Sequence, residues 1–196
     1  MNKVILVGII KNIEFSHECH GESFSNGIIE IPRLSGVVDS LPVVISDLIA
    51  PASDTKVKII GEFRSRNIDN RCILYIFAQE VYKAGEDETV CNEITIESYI
   101  CKPVVKRTTP KGKAIADVIV ACNRLNGKPD YIPCIFWGRI AFIAANHEVG
   151  DHVMISGRIQ SREYAKALAD GTTESKVAYE VSAFNILDIE ESEVIE

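Results

Sequence analysis

The sequence predicts an all-β chain of two similar domains in tandem, and a long-range repeat is the main reason. Val57-Lys-Ile-Ile-Gly61-Glu-Phe-Arg-Ser-Arg66 matches Val153-Met-Ile-Ser-Gly157-Arg-Ile-Gln-Ser-Arg162 at an offset of 96 residues. Shorter matches keep the same order, such as residues 2–8 with 92–98 and 39–42 with 130–133. A repeat of roughly 90 to 100 residues is one domain long, which indicates a duplicated domain. Short runs rich in Val, Ile and aromatic residues make both halves β-forming.

A polar, acidic link over residues 83–89 marks the boundary between the halves. We expect a first domain over residues 1–84, a second over residues 91–189 and a short acidic tail over residues 190–196. The chain has 196 residues, of which 46% are hydrophobic, so each domain can form its own core.

Five strands and one helix are predicted in the second half. A short helix over residues 139–147 separates the third and fourth strands, with Ile140, Ile143 and Ala144 on one face. This order is that of an OB-fold, a five-stranded Greek-key barrel. The first half repeats the order with a shorter connector over residues 46–51, so two tandem OB-fold barrels are expected. The five strands of the second half are Glu93–Ile100, Ala114–Ala121, Tyr131–Trp137, His152–Gln160 and Val177–Ile186.

The third strand of the second half separates a core face from an outer face. Side chains alternate across a strand, so Ile132, Cys134 and Phe136 share one face, which suits the core. Tyr131 and Trp137 then lie on the outer face.

The fourth strand gives the same separation, with Val153, Ile155, Gly157 and Ile159 facing inward. Rings interleaved with cations are what a single-stranded nucleic acid needs, because rings stack on unpaired bases and cations neutralise phosphates. A ring exposed on a barrel can also pack against a second subunit, and that alternative stays open. The outward residues are Arg158, Gln160, Arg162 and Tyr164.

A basic hairpin lies between the first two strands of the second half. Its cations would contact phosphates without reading sequence, although hairpin tips are often lysine-rich for solubility alone. Arg139, at the start of the predicted helix, joins this set. The hairpin cations are Lys106, Arg107, Lys111 and Lys113.

The net charge of −7 hides this basic region. Residues 91–187 hold 12 Lys and Arg against 10 Asp and Glu, whereas five acidic residues lie between Asp188 and Glu196. The acidic total therefore does not exclude a nucleic-acid partner.

Other classes of function find little support. No apolar run approaches the roughly 20 residues of a membrane span, and the N-terminus lacks the layout of a secretion signal, so a cytoplasmic protein is expected. The segment His17-Glu-Cys19-His20 lacks a second ligand cluster, so no metal or other cofactor is expected. No nucleophile motif or phosphate-binding loop is present, which indicates a protein that is not an enzyme.

At these residues the chain resembles the bacterial single-stranded DNA-binding protein family over about residues 92–189. The shared features are the basic hairpin with Thr-Pro-x-Gly-Lys, the segment from Asp130 to Gly138, the short helix, and the segment from Gly157 to Tyr164. The resemblance implies that Tyr131, Trp137 and Tyr164 stack on bases. It also implies an assembly of four OB domains, hence a homodimer or a higher even assembly of this chain.

The first half resembles the family less in its aromatic positions. Ser40 stands where Tyr131 stands, and Ile45 or Ser46 stands near the place of Trp137. We expect this domain to serve assembly, or to bind weakly through Arg64, Arg66 and Arg71.

The predicted function is therefore sequence-nonspecific binding and protection of single-stranded DNA in replication, recombination and repair. The alternative is a primosome or recombination accessory protein that shares the fold and acts mainly by binding replication or repair proteins.

Overall fold

The computed structural model describes residues 1–69, 71–124, 127–167 and 172–189. Eleven strands and one helix are found in these residues. In chain order they are β1 Asn2–Cys19, β2 Glu22–Pro32, β3 Val38–Ser46, β4 Thr55–Ile68, β5 Arg71–Lys83, β6 Cys91–Ile100, β7 Val105–Thr108, β8 Ala114–Asn123, β9 Pro129–Trp137, α1 Arg139–Ala144, β10 His152–Ala167 and β11 Thr173–Asp188.

The chain forms two compact units. The N-terminal unit comprises Val4–Glu93 and Ile159–Glu180, and the C-terminal unit comprises Met1–Lys3, Ile94–Arg158 and the described residues from Val181 to Ile189. Strands β10 and β11 each contribute to both units. The sequence did not predict that residues 159–180 associate with the first half of the chain.

The strands of the N-terminal unit follow the order β2-β3-β5-β4-β1, and β1 also pairs with β2. The pairing therefore closes into a ring of five strands. Alternate side chains fill its interior because successive residues of a strand face opposite sides. The largest of these fully buried side chains include Leu6, Ile10, Ile29, Leu41, Ile59, Phe63 and Ile76.

The strands of the C-terminal unit follow the order β6-β10-β11-β9-β8, with β7 outside β8, and β6 also pairs with β8. This ring of five strands is closed in the same way. The prediction of an all-β chain with a closed five-stranded barrel is confirmed. Buried side chains of this unit include Ile94, Ile96, Ile100, Val118, Ile132, Phe136, Val153 and Ile155.

Two local predictions about the second half need correction. The helix α1 buries Ala141 and Ala144, whereas Ile143 is exposed, so the predicted apolar face is wrong by part of a turn. Helix α1 has only six residues. Its small buried side chains, Ala141 and Ala144, let it pack closely against β8 and β9. Strand β10 also extends beyond its predicted end to Ala167, and β11 runs from Thr173 to Asp188, beyond both of its predicted ends.

The glycine of the repeated motif has a packing reason in each unit. A Cβ on Gly61 would lie 2.2 Å from the carbonyl oxygen of Phe77, and one on Gly157 would lie 2.6 Å from that of Ser182. The backbones of β4 and β5, and of β10 and β11, approach too closely there for any side chain.

A buried ion pair is also repeated. In the N-terminal unit Arg33 Nε donates to Asp39 at 2.7 Å, and in the C-terminal unit Arg124 Nε donates to Asp130 at the same distance. Both carboxylates are almost fully buried. The hydrogen bond to Asp39 raises the pKa of the Arg33 guanidinium. Each pair anchors the start of β3 or β9, which holds the outer face described next.

None of the helices among the described residues is long and apolar enough to cross a membrane. The six cysteines are free thiols, of which Cys122 and Cys134 are buried. The predicted acidic tail, residues 190–196, lies outside the described residues.

Candidate nucleic-acid interface

Strand β9 presents two aromatic side chains away from the barrel core. Ile132, Cys134 and Phe136 are buried, as the alternation predicts, while Tyr131 is 45% exposed and Trp137 is half-buried. Ile135 shares the outer face but is buried as well. The rings of Tyr131 and Trp137 therefore lie outside the core, and both belong to the C-terminal unit.

A lysine from the basic hairpin lies over the ring of Trp137. Lys113 Nζ is 5.3 Å from the ring centroid, within the range of a cation–π contact. The turn that positions it is fixed by backbone chemistry: Thr109 Oγ1 accepts the amide of Lys113 at 2.9 Å, and Gly112 adopts φ +79°. A left-handed residue at this position favours glycine.

The other hairpin cations are exposed but not equally available. Arg107 makes an ion pair with Asp117, in which Nη2 donates to Oδ1 at 3.0 Å. Its charge is therefore partly neutralised. Lys106 and Lys111 are exposed in the hairpin, and Arg139 is exposed at the start of α1.

A cavity of about 250 Å³ lies between this hairpin and α1. Its lining combines Lys106 and Arg107 with Ala114, Ile115 and the ring of Phe142, which is largely exposed. Sequence reasoning missed Phe142, because it treated the helix only as a packing element. A ring exposed next to two cations is the same combination that marks Tyr131 and Trp137.

Strand β10 carries four predicted site residues, and one of them is not exposed. Val153, Ile155, Gly157 and Ile159 are buried as predicted, and Arg158 is half-buried. Gln160 is only 7% exposed and its amide donates to Glu180 Oε1 at 2.7 Å. The expectation that Gln160 faces solvent is wrong, because β11 places a carboxylate opposite it that the alternation of β10 could not reveal.

Arg162 and Tyr164 lie beyond Gln160 on the same strand. The guanidinium carbon of Arg162 is 5.9 Å from the ring centroid of Tyr164, and its Nε lies 3.4 Å from Glu180 Oε1. Tyr164 is 38% exposed. Gln160, Arg162 and Tyr164 belong to the N-terminal unit. The single outer face predicted for Tyr131, Trp137 and Tyr164 remains a prediction.

Asp39 and Ser40 hold strand β10 at Ser161 within the N-terminal unit. The amide of Ser161 donates to Asp39 Oδ1 at 2.9 Å, and the amide of Ser40 donates to Ser161 Oγ at 3.1 Å. Ser40 thus has a structural contact at the position that Tyr131 holds in the repeat.

The three arginines predicted in the first half lie on β4 and β5. Arg64 donates from Nε to Glu62 at 2.7 Å, and its guanidinium carbon lies 4.5 Å from the ring centroid of Phe77. Arg66 is exposed and lies 5.5 Å from the ring centroid of Tyr75. Arg71 is exposed at the start of β5.

Further rings accompany these arginines, and sequence reasoning missed them. His17 stacks on Phe24 with ring centroids 5.3 Å apart, and Phe24 lies 6.1 Å from Phe77. The comparison of the two halves considered only the positions that match Tyr131, Trp137 and Tyr164. The alternation of Tyr75 and Phe77 along β5 is the signal that could have placed both rings outside the core.

His17, Cys19 and His20 are exposed. Among the described residues, no group of three or more His, Cys, Asp or Glu side chains could hold a metal ion.

Two solved structures with a similar fold are of a protein from Thermus aquaticus. The wild-type single-stranded DNA binding protein from Thermus aquaticus matches with a TM-score of 0.79 and 13% identity, covering 100% of this chain and 96% of that one. A deletion mutant of the same protein matches with a TM-score of 0.76 and 15% identity, covering 100% of this chain and 98% of that one. At these identities the likeness shows the fold alone.

A dimeric structure of the N-terminal domain of the PriB protein from Thermoanaerobacter tencongensis shares 41% identity, over 43% of this chain and 98% of that one, at a TM-score of 0.39. None of the curated proteins matches the sequence. The model of the single-strand binding protein family matches residues 91–187, the half of the chain that carries Tyr131, Trp137 and the basic hairpin. Through these residues the chain belongs to the single-strand binding protein family.

Proposed function

We propose that this chain binds single-stranded DNA without sequence preference and performs no catalysis. The observation that carries the proposal is the outer face of β9, where Tyr131 and Trp137 lie outside the core and Lys113 covers the ring of Trp137. Membership of the single-strand binding protein family over residues 91–187 supports it. So do the names of the structural relatives from Thermus aquaticus.

The chemistry of the proposed contact follows from these groups. Unpaired bases stack on the rings of Tyr131, Trp137 and Tyr164, which contribute about 1–3 kcal/mol per base. Phosphates are neutralised by Lys106, Lys111, Lys113 and Arg139, and this contribution is independent of sequence. Arg158 also neutralises phosphate, and so do Arg107 and Arg162 once phosphate replaces or joins their present carboxylate partners. The amide of Gln160 already donates to Glu180, so Gln160 would hold Glu180 in place and would not contact DNA itself.

The domain organisation proposed for this activity is two tandem OB-fold domains, over residues 1–84 and 91–189, followed by the acidic tail. The second domain is the principal binding surface. Two chains would supply four OB domains, so we propose a homodimer or a higher even assembly. In the cell the protein would protect single strands in the cytoplasm during replication, recombination and repair, with proteins of those processes as partners.

The single tryptophan provides the test. Titration with oligo-dT should quench the emission of Trp137 strongly, because a base stacked on the indole changes its environment. Trp137→Ala should weaken binding by about tenfold or more, measured by the anisotropy of a labelled oligonucleotide. Trp137→Phe should recover most of that loss, since it restores a ring.

Val149→Ala is the control, because Val149 is 54% exposed in the same unit and lies outside β9 and the basic hairpin. Its affinity should equal that of the wild type. Unchanged Trp137 emission at low salt, with no anisotropy change, would exclude the proposed function and leave the accessory-protein alternative.

A further inference from the structure

Four aromatic rings and two arginines form two neighbouring sets of contacts on the N-terminal unit. We call His17, Phe24, Phe77, Tyr75, Arg64 and Arg66 the aromatic ladder. Along it, the centroids of His17 and Phe24 are 5.3 Å apart and those of Phe24 and Phe77 are 6.1 Å apart. Arg64 covers Phe77 at 4.5 Å and Arg66 covers Tyr75 at 5.5 Å. Three rings in succession, from β1, β2 and β5, therefore end under Arg64 of β4.

The strand register places the ladder outside the barrel core. On β3 the inward side chains are Leu41, Val43 and Ile45, all nearly inaccessible to solvent. Phe24 on β2 is the pairing partner of Ser46, and Phe77 on β5 is the partner of Val44. Because directly paired residues share a face of the sheet, both rings lie on the outer face and flank β3 from its two sides.

This face is the counterpart of the one that carries Trp137. The offset of 91 residues between the matching segments at Asp39 and Asp130 makes Ser46 the equivalent of Trp137. In the C-terminal unit β9 supplies its own ring at that position, whereas in the N-terminal unit the neighbouring strands β2 and β5 supply Phe24 and Phe77 beside Ser46. The outer face of the N-terminal unit therefore carries aromatic side chains although β3 has none.

The solvent side of the ladder carries the charge of Arg66. Arg66 and His17 are exposed, while Phe24, Tyr75 and Phe77 are half-buried. The hydrogen bond from Arg64 Nε to Glu62 fixes the guanidinium over Phe77, so Arg64 acts mainly as a stacking group. Arg66 lies two residues further along β4, and Arg71 follows at the start of β5. Rings for bases with arginines for phosphates are the combination that holds single strands without reading their sequence.

We propose that the aromatic ladder is a second single-strand-binding surface on this chain. Phe24 and Phe77 contact bases, and Arg66 and Arg71 contact phosphates. The inference rests on the proposed function, since its ligand is the same single-stranded DNA. It differs in assigning the N-terminal unit a stacking role through residues that do not correspond to Tyr131, Trp137 or Tyr164.

The test compares short and long oligo-dT on the double variant F24L/F77L, in which leucine keeps apolar volume and removes the rings. One OB fold covers about 4–16 nucleotides, so a strand of about 15 reports mainly one surface and a strand of about 60 reports all of them. The variant should bind the long strand about tenfold more weakly. It should also cover fewer nucleotides per chain at saturation. Tyr82→Leu, which removes an exposed ring of β5 outside the ladder, should change neither value.

Trp137 separates failure of this inference from failure of the proposed function. If short oligo-dT quenches Trp137 in wild type and variant alike, while the long-strand footprint of the variant shrinks, both stand. If quenching occurs but the footprint is unchanged, the ladder is not a binding surface and the proposed function survives. Absence of quenching in the wild type overturns both. A change in assembly mass with an unchanged footprint also overturns the inference, because the ladder would then be a subunit contact.

A second variant tests the ladder without changing any of its rings. Arg66→Gln removes an exposed cation, so the slope of log affinity against log salt for long oligo-dT should become shallower by about one. An unchanged slope contradicts the proposal.

Photochemical cross-linking of 5-iodouracil-substituted oligonucleotides to the wild-type protein gives a direct location. Linked peptides containing Phe24, Tyr75 or Phe77 support the ladder. Links confined to residues 91–187 overturn it.

Discussion

At the scale of single residues, neighbouring carboxylates decide which cations of the interface are available to a ligand. Arg107 is paired with Asp117, Arg64 with Glu62 and Arg162 with Glu180. The Arg107–Asp117 pair is exposed, and such pairs contribute typically about 0–1 kcal/mol to stability, so a phosphate can replace Asp117 at small cost. Glu62 and Glu180 are at least partly buried, so Arg64 and Arg162 are less available to a phosphate. Lys113 differs from these arginines because its contact is the ring of Trp137.

Lys113 should therefore affect both affinity and the tryptophan signal. In Lys113→Gln one phosphate-neutralising charge is lost, so the slope of log affinity against log salt should become shallower by about one. The emission of free Trp137 should also change, since the cation over the ring is removed. Fluorescence titrations at several salt concentrations measure both effects.

Lys102→Gln is the control, because Lys102 is exposed in the same unit but lies outside the basic hairpin. Its slope and free emission should match those of the wild type. Equal slopes for both variants and the wild type would exclude Lys113 from phosphate contact.

At the scale of elements, the repeated sequence motif records a repeated backbone approach. The glycines at 61 and 157 lie where two strands come too close for a Cβ, and the arginine–aspartate pairs hold the start of β3 and β9. Removing one partner of a buried pair typically costs about 3–5 kcal/mol, because the other charge is left uncompensated. These features explain why the two halves keep the same residues at points that have no direct role in binding.

Gly157→Ala should destabilise the protein. The added Cβ would meet the carbonyl oxygen of Ser182 at 2.6 Å, so β10 and β11 must separate. Inserting a methyl group into such a contact typically costs about 1–3 kcal/mol. The urea midpoint of unfolding, followed by circular dichroism, measures the loss.

Gly85→Ala is the matched control, since a Cβ there meets nothing within 4 Å. Its midpoint should stay within the range of a neutral surface substitution, about 0.5 kcal/mol. If both variants unfold at the wild-type midpoint, the close approach at Gly157 does not constrain the fold.

At the scale of the whole molecule, net charge and binding chemistry point in different directions. The chain carries −7 overall, yet the outer faces of both units combine rings with Lys and Arg. A local cluster of cations attracts a polyanion within about a Debye length, roughly 8–10 Å at physiological salt, so distant acidic residues matter little.

The proposed assembly predicts a mass of at least twice the 21.7 kDa chain. Light scattering on a size-exclusion column should give an even multiple of that mass that does not change on dilution over the working range. A monomer at all concentrations would contradict the assembly and leave the binding proposal intact.

Local patterns in the sequence determined much of the interface. The two-residue period of β9 placed Ile132, Cys134 and Phe136 in the core and Tyr131 and Trp137 outside it, because side-chain direction in a strand is set by the strand alone. The closed barrel was predicted from the order of elements, namely five strands with a helix between the third and the fourth, which is typical of an OB-fold.

Tertiary structure alone decided what depends on a partner from a distant part of the chain. Gln160 is buried because Glu180 lies opposite it, and residues 159–180 join the N-terminal unit. Phe24 and Phe77 lie on the two strands that flank β3, with ring centroids 6.1 Å apart, although 53 positions separate them in the sequence. Such contacts follow from the register between strands, and the periodicity of a single strand carries no information about which residues the neighbouring strand will place beside it.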